Sequence, residues 1–233
     1  MNESVWQRKC LFSPSLITLD LCNLERQVKE LEAQGCPMLH VDLLDGYFSP
    51  SMPIGLDMVR QLRQKTDLPF DVHLMANEQD YFIGELLEIG VQQLVFHAEC
   101  EPHIDNRLNM IRRAGVRAGV ALKPATSLTV LDYVLEKCDV VLLMLINPGY
   151  AGSAKEQQVP YGLRKISELR SLIERRGLHT KIEIDGRISP ENIEALAKDQ
   201  ADIFVAGSTC IKRDDIPGSW RALCALRARA LAE

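Results

Sequence analysis

No apolar run in this 233-residue chain approaches the roughly 20 residues needed to cross a bilayer. The opening residues, MNESVWQRKC, lack the apolar core of a secretory signal. We therefore expect no membrane partner and a cytoplasmic location. Positive charge is not in excess either. Twenty-seven Lys and Arg face 32 Asp and Glu, a net charge of −5, which argues against a polyanion-binding surface and predicts no nucleic-acid partner. The seven cysteines are odd in number, dispersed, and never spaced C-x-x-C. That pattern predicts reduced thiols, mostly in cores. No composition break, linker or low-complexity tract divides the chain, so residues 1–233 read as one domain, with 1–9 as an N-terminal extension.

What is present is alternation. Short strand-like runs lie near 10–15, 38–42, 69–74, 93–97, 116–121, 139–145, 180–185 and 202–206. Amphipathic stretches separate them. Leu24, Val28 and Leu31 share one face, and Leu163, Ile166, Leu169, Leu172 and Ile173 another. Asn23, Asn77, Thr126 and Ser189 are the expected helix caps, and Gly35, Gly90, Gly115 and Gly177 the expected exits. A final helix is expected to turn Trp220, Leu223, Leu226 and Leu231 inward. Eight such β-α units at this length predict the α/β class and a single (β/α)8 TIM barrel.

The carboxyl ends of these strands carry polar residues, where α/β folds build their sites. His40 and Asp42 lie in HVDLLDG, His73 in FDVHLM, and Asp185 in IEIDG. Two imidazoles and two carboxylates make a ligand set suited to Zn, Mn, Fe or Co. His97 reads as a hydrogen-bonded strand-end histidine, and His103 and His179 as solvated. Asp45 is expected to order its loop, and Asp71 to support His73 from the same side of the strand.

A second group of residues follows the last three strands. Gly149, Tyr150, Ala151, Gly152 and Ser153 come after the sixth, Gly186 and Arg187 after the seventh, and Gly207 and Ser208 after the eighth. Glycine-rich loops at neighbouring strand ends let backbone N–H groups approach an oxyanion, and helices that follow present positive ends. This predicts a phosphorylated ligand.

The segments SPSL (13–16), HVDLLDGYFSPSMPIG (40–55), DVHLM (71–75), ALKPAT (121–126), VVLLMLINPGYAG (140–152), EIDG (183–186) and VAGS (205–208) together resemble the ribulose-phosphate 3-epimerase family in order and spacing. The resemblance implies a cytoplasmic homo-oligomer that epimerises a ketose phosphate at C3, D-ribulose 5-phosphate to D-xylulose 5-phosphate first among them. It implies one divalent metal per chain, Zn by default with Fe, Mn or Co as alternatives, held by His40, Asp42, His73 and Asp185. Asp42 and Asp185 would also be the proton-transfer pair, working through a metal-stabilised 2,3-enediolate. Ser15, His73, Met75, Met144 and the loop residues from Gly149 to Ser153, Gly186, Arg187, Gly207 and Ser208 would contact substrate. Leu44 replaces the first of the usual three methionines.

Three departures bear on substrate identity. Arg187 stands where the family has a second glycine, Lys123 where it has Asn, and GYAGSAKEQQ where GFGGQ is commoner. A hexulose phosphate such as D-allulose 6-phosphate is the alternative substrate, and a non-catalytic sugar-phosphate-binding barrel the alternative class. A decarboxylase of the ketogulonate-phosphate type needs Asp-x-Lys-x-x-Asp, and Leu44 occupies the lysine's place. At Arg187 a left-handed backbone costs roughly 1–2 kcal/mol, so the loop is expected to shift and the guanidinium to reach the phosphate.

Overall fold

The computed structural model of the chain describes residues 5–149, 153, 155–198 and 201–231. Its strands are β1 (Leu11–Pro14), β2 (Leu39–Leu44), β3 (Phe70–Met75), β4 (Gln93–His97), β5 (Arg117–Leu122), β6 (Val140–Met144), β7 (Lys181–Asp185) and β8 (Ile203–Ala206). All eight fall where the apolar runs place them. They pair in parallel in the order β1-β8-β7-β6-β5-β4-β3-β2. A single bridge between Ser15 and His40 joins the two ends, so the barrel closes at the rim where the strand-end residues gather.

Side-chain alternation splits the interior into two layers. On β3, Phe70, Val72 and Leu74 point out into the core between strands and helices, leaving Asp71, His73 and Met75 for the lumen. A separate apolar group fills the lumen below the rim, built on Val95, Ala121, Val140, Leu142 and Ile203. Val5 and Trp6 belong to it, and the Arg117 guanidinium lies 4.7 Å from the Trp6 ring centroid.

The helices are α1 (Leu24–Ala33), α2 (Leu56–Arg63), α3 (Gln79–Ile89), α4 (Ile104–Arg113), α5 (Gly162–Arg175), α6 (Ile193–Ala197) and α7 (Ile216–Ala230). No helix among the described residues is long and apolar enough to cross a membrane. The exits at Gly35, Gly90, Gly115 and Gly177 have positive φ as expected. The β-α unit expected after β5 has no α-helix. Two 3-10 segments, Leu128–Leu131 and Leu135–Lys137, stand in its place. Leu131, Val134, Leu135 and Cys138 are buried at a spacing an α-helix would also satisfy, so the apolar pattern of this stretch does not separate the two.

Caps differ as well. Ser127, not Thr126, caps that segment by accepting the Thr129 N–H at 3.2 Å. Asn77 instead donates its N–H to Asp45, and Asn192 rather than Ser189 precedes α6. Asn23 does precede α1, without a side-chain capping bond. Leu163 (49% exposed) and Leu231 (48% exposed) do not face inward; both lie at helix ends, where few neighbours cover them. Four cysteines (Cys10, Cys36, Cys138, Cys210) are buried, and all seven are free thiols. Burial pushes Cys36 and Cys138 up to about 12, which makes them inert.

Candidate metal and substrate site

His40 and Asp42 sit two residues apart on β2, so the pleat turns both into the lumen. Asp42 is in register with His73 on β3, and Asp185 ends β7 across the mouth. Nε2 of His40 lies 3.4 Å from Oδ1 of Asp42, and Nδ1 of His73 lies 3.5 Å from that oxygen and 3.8 Å from Oδ2 of Asp185. One ligand atom from each of the four lies within 4.8 Å of the other three. The four strand-end residues thus converge, as the sequence predicts.

These residues fit a divalent cation. Nε2 of His40 and Nδ1 of His73 are buried and have no hydrogen-bond partner. An orphaned buried polar atom of this kind costs about 1–3 kcal/mol. Both orphans face the two carboxylates, so one cation would satisfy all four ligands. The outer nitrogen of His40 is held separately: Nδ1 lies 2.8 Å from Oδ2 of Asp71 and 3.3 Å from Oε1 of Glu183. Asp71 therefore supports His40 across the β2–β3 pair, not His73 on its own strand. The register explains this, because His40 is directly opposite Asp71. Asp71 also accepts from Ser13 at 3.1 Å and from Gln93 at 2.8 Å.

Electrostatics separate the carboxylates. Burial alone would raise Asp42, but His40 and His73 outweigh it and hold Asp42 well below the usual range. Burial, reinforced by the Asp42 charge, pushes Asp185 up to about 6. Burial opposes charge on His40, yet Asp42 and Asp71 raise it well above the ordinary imidazole value. Ser15, at the end of β1, donates its hydroxyl to Oδ2 of Asp42 at 2.6 Å. Two carboxylates whose proton affinities are driven apart form a pattern suited to acid–base work.

A cavity lies above the cluster. Ser15, Leu44, Met75, Met144, Gly149, Gly186, Arg187, Gly207 and Ser208 line it together with Asp42 and Asp185. Tyr150, Ala151 and Gly152 lie outside the described residues. Gly186 has φ +118, and a Cβ there would meet Ile146 at 2.8 Å, so only glycine fits. At Gly149 a Cβ would overlap the Ser49 hydroxyl at 1.9 Å. The helices α6 and α7 do not start at these loops. A single turn does: the Cys210 and Ile211 N–H groups bond the Gly207 carbonyl at 2.9 Å, which leaves the Ser208 and Thr209 N–H groups at its open end.

Arg187 departs from its expectation. Its backbone keeps the left-handed conformation, φ 56, rather than shifting. Its side chain explains why. Nε donates to the Glu156 carbonyl at 3.0 Å, and a terminal nitrogen donates to the Ser153 carbonyl. Gln158 and Asn192 bond the Arg187 carbonyl at 3.2 and 2.8 Å. These contacts offset the roughly 1–2 kcal/mol cost of the backbone. The guanidinium thus anchors the loop after β6 at the cavity edge instead of forming a fork toward an anion.

Of the other singled-out residues, His103 and His179 are exposed. Asp45 orders its loop by accepting the Tyr47 and Phe48 N–H groups at 2.8 and 2.7 Å. His97 is a satisfied strand-end histidine, touching His73 and Glu99. Sequence reasoning passed over Glu183, Gln93 and Glu99. Alternation in KIEID places Glu183 on the face of Asp185 and was a usable signal. Glu99 lies beyond its strand and left none.

Comparison with known proteins agrees with this geometry. Residues 11–211 match the model of the ribulose-phosphate 3 epimerase family. The chain is 38% identical to the chloroplastic ribulose-5-phosphate-3-epimerase of Arabidopsis thaliana, over 88% of this chain and 73% of that one. It is 34% identical to the ribulose-phosphate 3-epimerase of Escherichia coli K12, over 89% of this chain and 92% of that one. Among solved structures, a KGPDC from Streptococcus mutans superposes with a TM-score of 0.71 at 15% identity, covering 95% of this chain and 98% of that one. A tryptophan synthase chain from Pyrococcus furiosus gives a TM-score of 0.61 at 15% identity, covering 97% and 99%. Those likenesses speak to the barrel alone, and they span different chemistries. With the family model covering most of its length and curated relatives above 30% identity, this chain belongs to the ribulose-phosphate 3-epimerase family.

Proposed function

We propose that the chain is an isomerase that inverts C3 of a ketose phosphate, interconverting D-ribulose 5-phosphate and D-xylulose 5-phosphate. One observation carries this reading: Asp42 and Asp185 enter a single cavity from β2 and β7, above two buried imidazole nitrogens with no partner. When bound, a divalent cation supplies Lewis-acid stabilisation of the negative charge that develops as C3 loses its proton. His40, Asp42, His73 and Asp185 would hold it. The nitrogen–oxygen donor set suits Zn first, with Fe, Mn and Co able to use the same ligands. One aspartate removes the C3 proton and the other delivers a proton to the opposite face. Met75, Met144 and Leu44 give the planar intermediate an apolar cover. Gly186, Gly207 and Ser208 line the end suited to the phosphate, and Arg187 anchors the neighbouring loop.

Incubation with D-ribulose 5-phosphate in heavy water tests the reading. Deuterium should enter at C3 while D-xylulose 5-phosphate accumulates, with D-allulose 6-phosphate turned over more slowly. Turnover of the hexulose phosphate alone would overturn the substrate assignment. Sugar-phosphate binding without exchange would leave a binding barrel.

Cation affinity should climb with pH, because protons compete for the ligands. Asp42 and Asp71 raise His40, so the climb should continue above the ordinary imidazole value of about 6.5. Titrations at several pH values check this, and an affinity flat from about pH 6 to pH 8 would contradict it.

Arg187→Gly relieves the left-handed backbone but releases the loop carbonyls at Ser153 and Glu156. KM should rise about tenfold with kcat nearly unchanged, the mark of lost uniform binding. An unchanged KM would mean that the anchor is not needed.

We further propose a cytoplasmic homo-oligomer. The reading rests on the family to which the chain belongs. Light scattering should give a multiple of 26.2 kDa, and a clean monomer would exclude it.

A further inference from the structure

The imidazole of His73 is tied to a chain of groups outside the cluster. Its Nε2 lies 3.0 Å from Nε2 of His97, and Nδ1 of His97 lies 2.8 Å from Oε2 of Glu99. His97 closes β4, is fully buried, and lies under the Phe48 ring at 4.7 Å between centroids. Glu99 sits two residues on, in the 3-10 turn Ala98–Cys100. Its other oxygen accepts the Lys123 backbone N–H at 2.6 Å and the Thr126 hydroxyl. Lys165 on α5 fixes that loop in turn, with Nζ 2.8 Å from the Lys123 carbonyl and 2.9 Å from that of Pro124.

Counting protons gives the chain a direction. Nδ1 of His73 faces the cluster and has no other partner. To bind a cation it must present a lone pair, so the ring proton sits on Nε2. That N–H needs an acceptor, and among the described residues Nε2 of His97 is the one in reach. His97 must then carry its own proton on Nδ1, where Glu99 accepts it. The opposite arrangement would put a proton on the cluster side of His73 and leave Glu99 without a donor from His97. His40 has a one-step version of the same device in Asp71.

We propose that Glu99, acting through His97, positions His73 in the tautomer and ring orientation that bind the cation. The proposal rests on the metal-dependent reading above. It makes His97 and Glu99 positioning residues that never touch substrate. It also explains the loop after β5, where Lys123 and Thr126 hold the far end of the relay. A glutamine at position 99 meets only part of the demand. Its amide oxygen serves either the His97 N–H or the Lys123 N–H, and its NH2 group opposes the one left over.

Cobalt binding to the metal-free chain tests this, read as a dissociation constant by chelator competition and as the visible spectrum of the bound ion. Glu99→Gln should weaken binding roughly 10- to 100-fold, the usual cost of losing such support. His97→Phe should do the same. His97→Gln keeps an acceptor for His73 and should recover most of that affinity, which a merely space-filling role would not require. The double variant Glu99→Gln with His97→Phe should bind no worse than His97→Phe alone, because Glu99 acts only through His97. Melting of the metal-free variants separates lost fold from lost ligand geometry; if Glu99→Gln does not fold, the comparison of His97→Phe with His97→Gln decides. Equal affinity of wild type and Glu99→Gln, or independent losses in the double variant, overturns the relay alone. A wild-type chain that binds no cobalt overturns the relay and the metal-dependent reading together.

Discussion

His73→Ala is expected to remove both the bound cation and turnover while leaving the barrel folded. The imidazole is fully buried, and its Nδ1 is one of two unpartnered nitrogens aimed at the carboxylates. Alanine deletes one of the four proposed ligands and leaves Asp42 and Asp185 to face each other around a weakly held cation. A three-ligand remnant holds a cation far more weakly, and any that binds lacks the fixed geometry that aligns both aspartates. Losing about 4 kcal/mol of transition-state stabilisation corresponds to roughly a thousandfold in rate, and we expect at least that. The strands that carry the site are secured by the outer layer of Phe70, Val72 and Leu74, which the substitution does not touch. Metal analysis, circular dichroism and turnover on one preparation make the test. Chelated wild-type enzyme should match the variant. Full activity in either, with no metal present, would end the metal-assisted mechanism.

Much of this site can be read from sequence because strand geometry is simple. Polar residues that interrupt apolar runs at i and i+2, as His40 and Asp42 do, must share a face. The same rule reaches Glu183 two residues before Asp185, and Asp71 two before His73. Choosing which imidazole Asp71 supports requires the register between β2 and β3, and a single strand does not carry that information. Glu99 is further from reach: its role depends on a 3-10 turn at one strand end meeting the loop after the next. The connection after β5 looks helical both from the count of β-α units and from the spacing of Leu131, Val134, Leu135 and Cys138, and nothing in the sequence signals the two 3-10 turns that stand there. Arg187 shows the converse. Backbone preference argues against a left-handed arginine, yet carbonyls at Ser153 and Glu156, more than 30 residues away in sequence, reward its side chain enough to keep the conformation.

The two aspartates carry the sharper prediction about mechanism. Substituting Asp42 or Asp185 with Asn keeps size and shape, retains an oxygen for hydrogen bonding, and removes the ability to take or give the C3 proton. Positioned proton transfer contributes roughly 100- to 10,000-fold, so each variant should lose at least the upper part of that range in epimerisation, since inversion needs both faces. The two losses should differ in kind. The imidazoles hold Asp42 well below the usual carboxylate range, whereas burial and the Asp42 charge push Asp185 up to about 6. In the direction where Asp42 is the base, Asp185 is the donor, and the roles exchange in reverse. An enzyme missing one partner can still exchange the C3 proton from the face that keeps its carboxylate. Asp185→Asn should therefore retain solvent exchange with one C3 epimer and lose it with the other, and Asp42→Asn should show the mirror pattern. Because the proposed function makes both residues cation ligands as well, cation content must be matched before rates are compared. Mass spectrometry of each ketose phosphate after incubation in heavy water reads the outcome directly. If both variants, loaded with cation, epimerise at near wild-type rates, then protons reach C3 by some other group, and the division of labour between β2 and β7 is wrong.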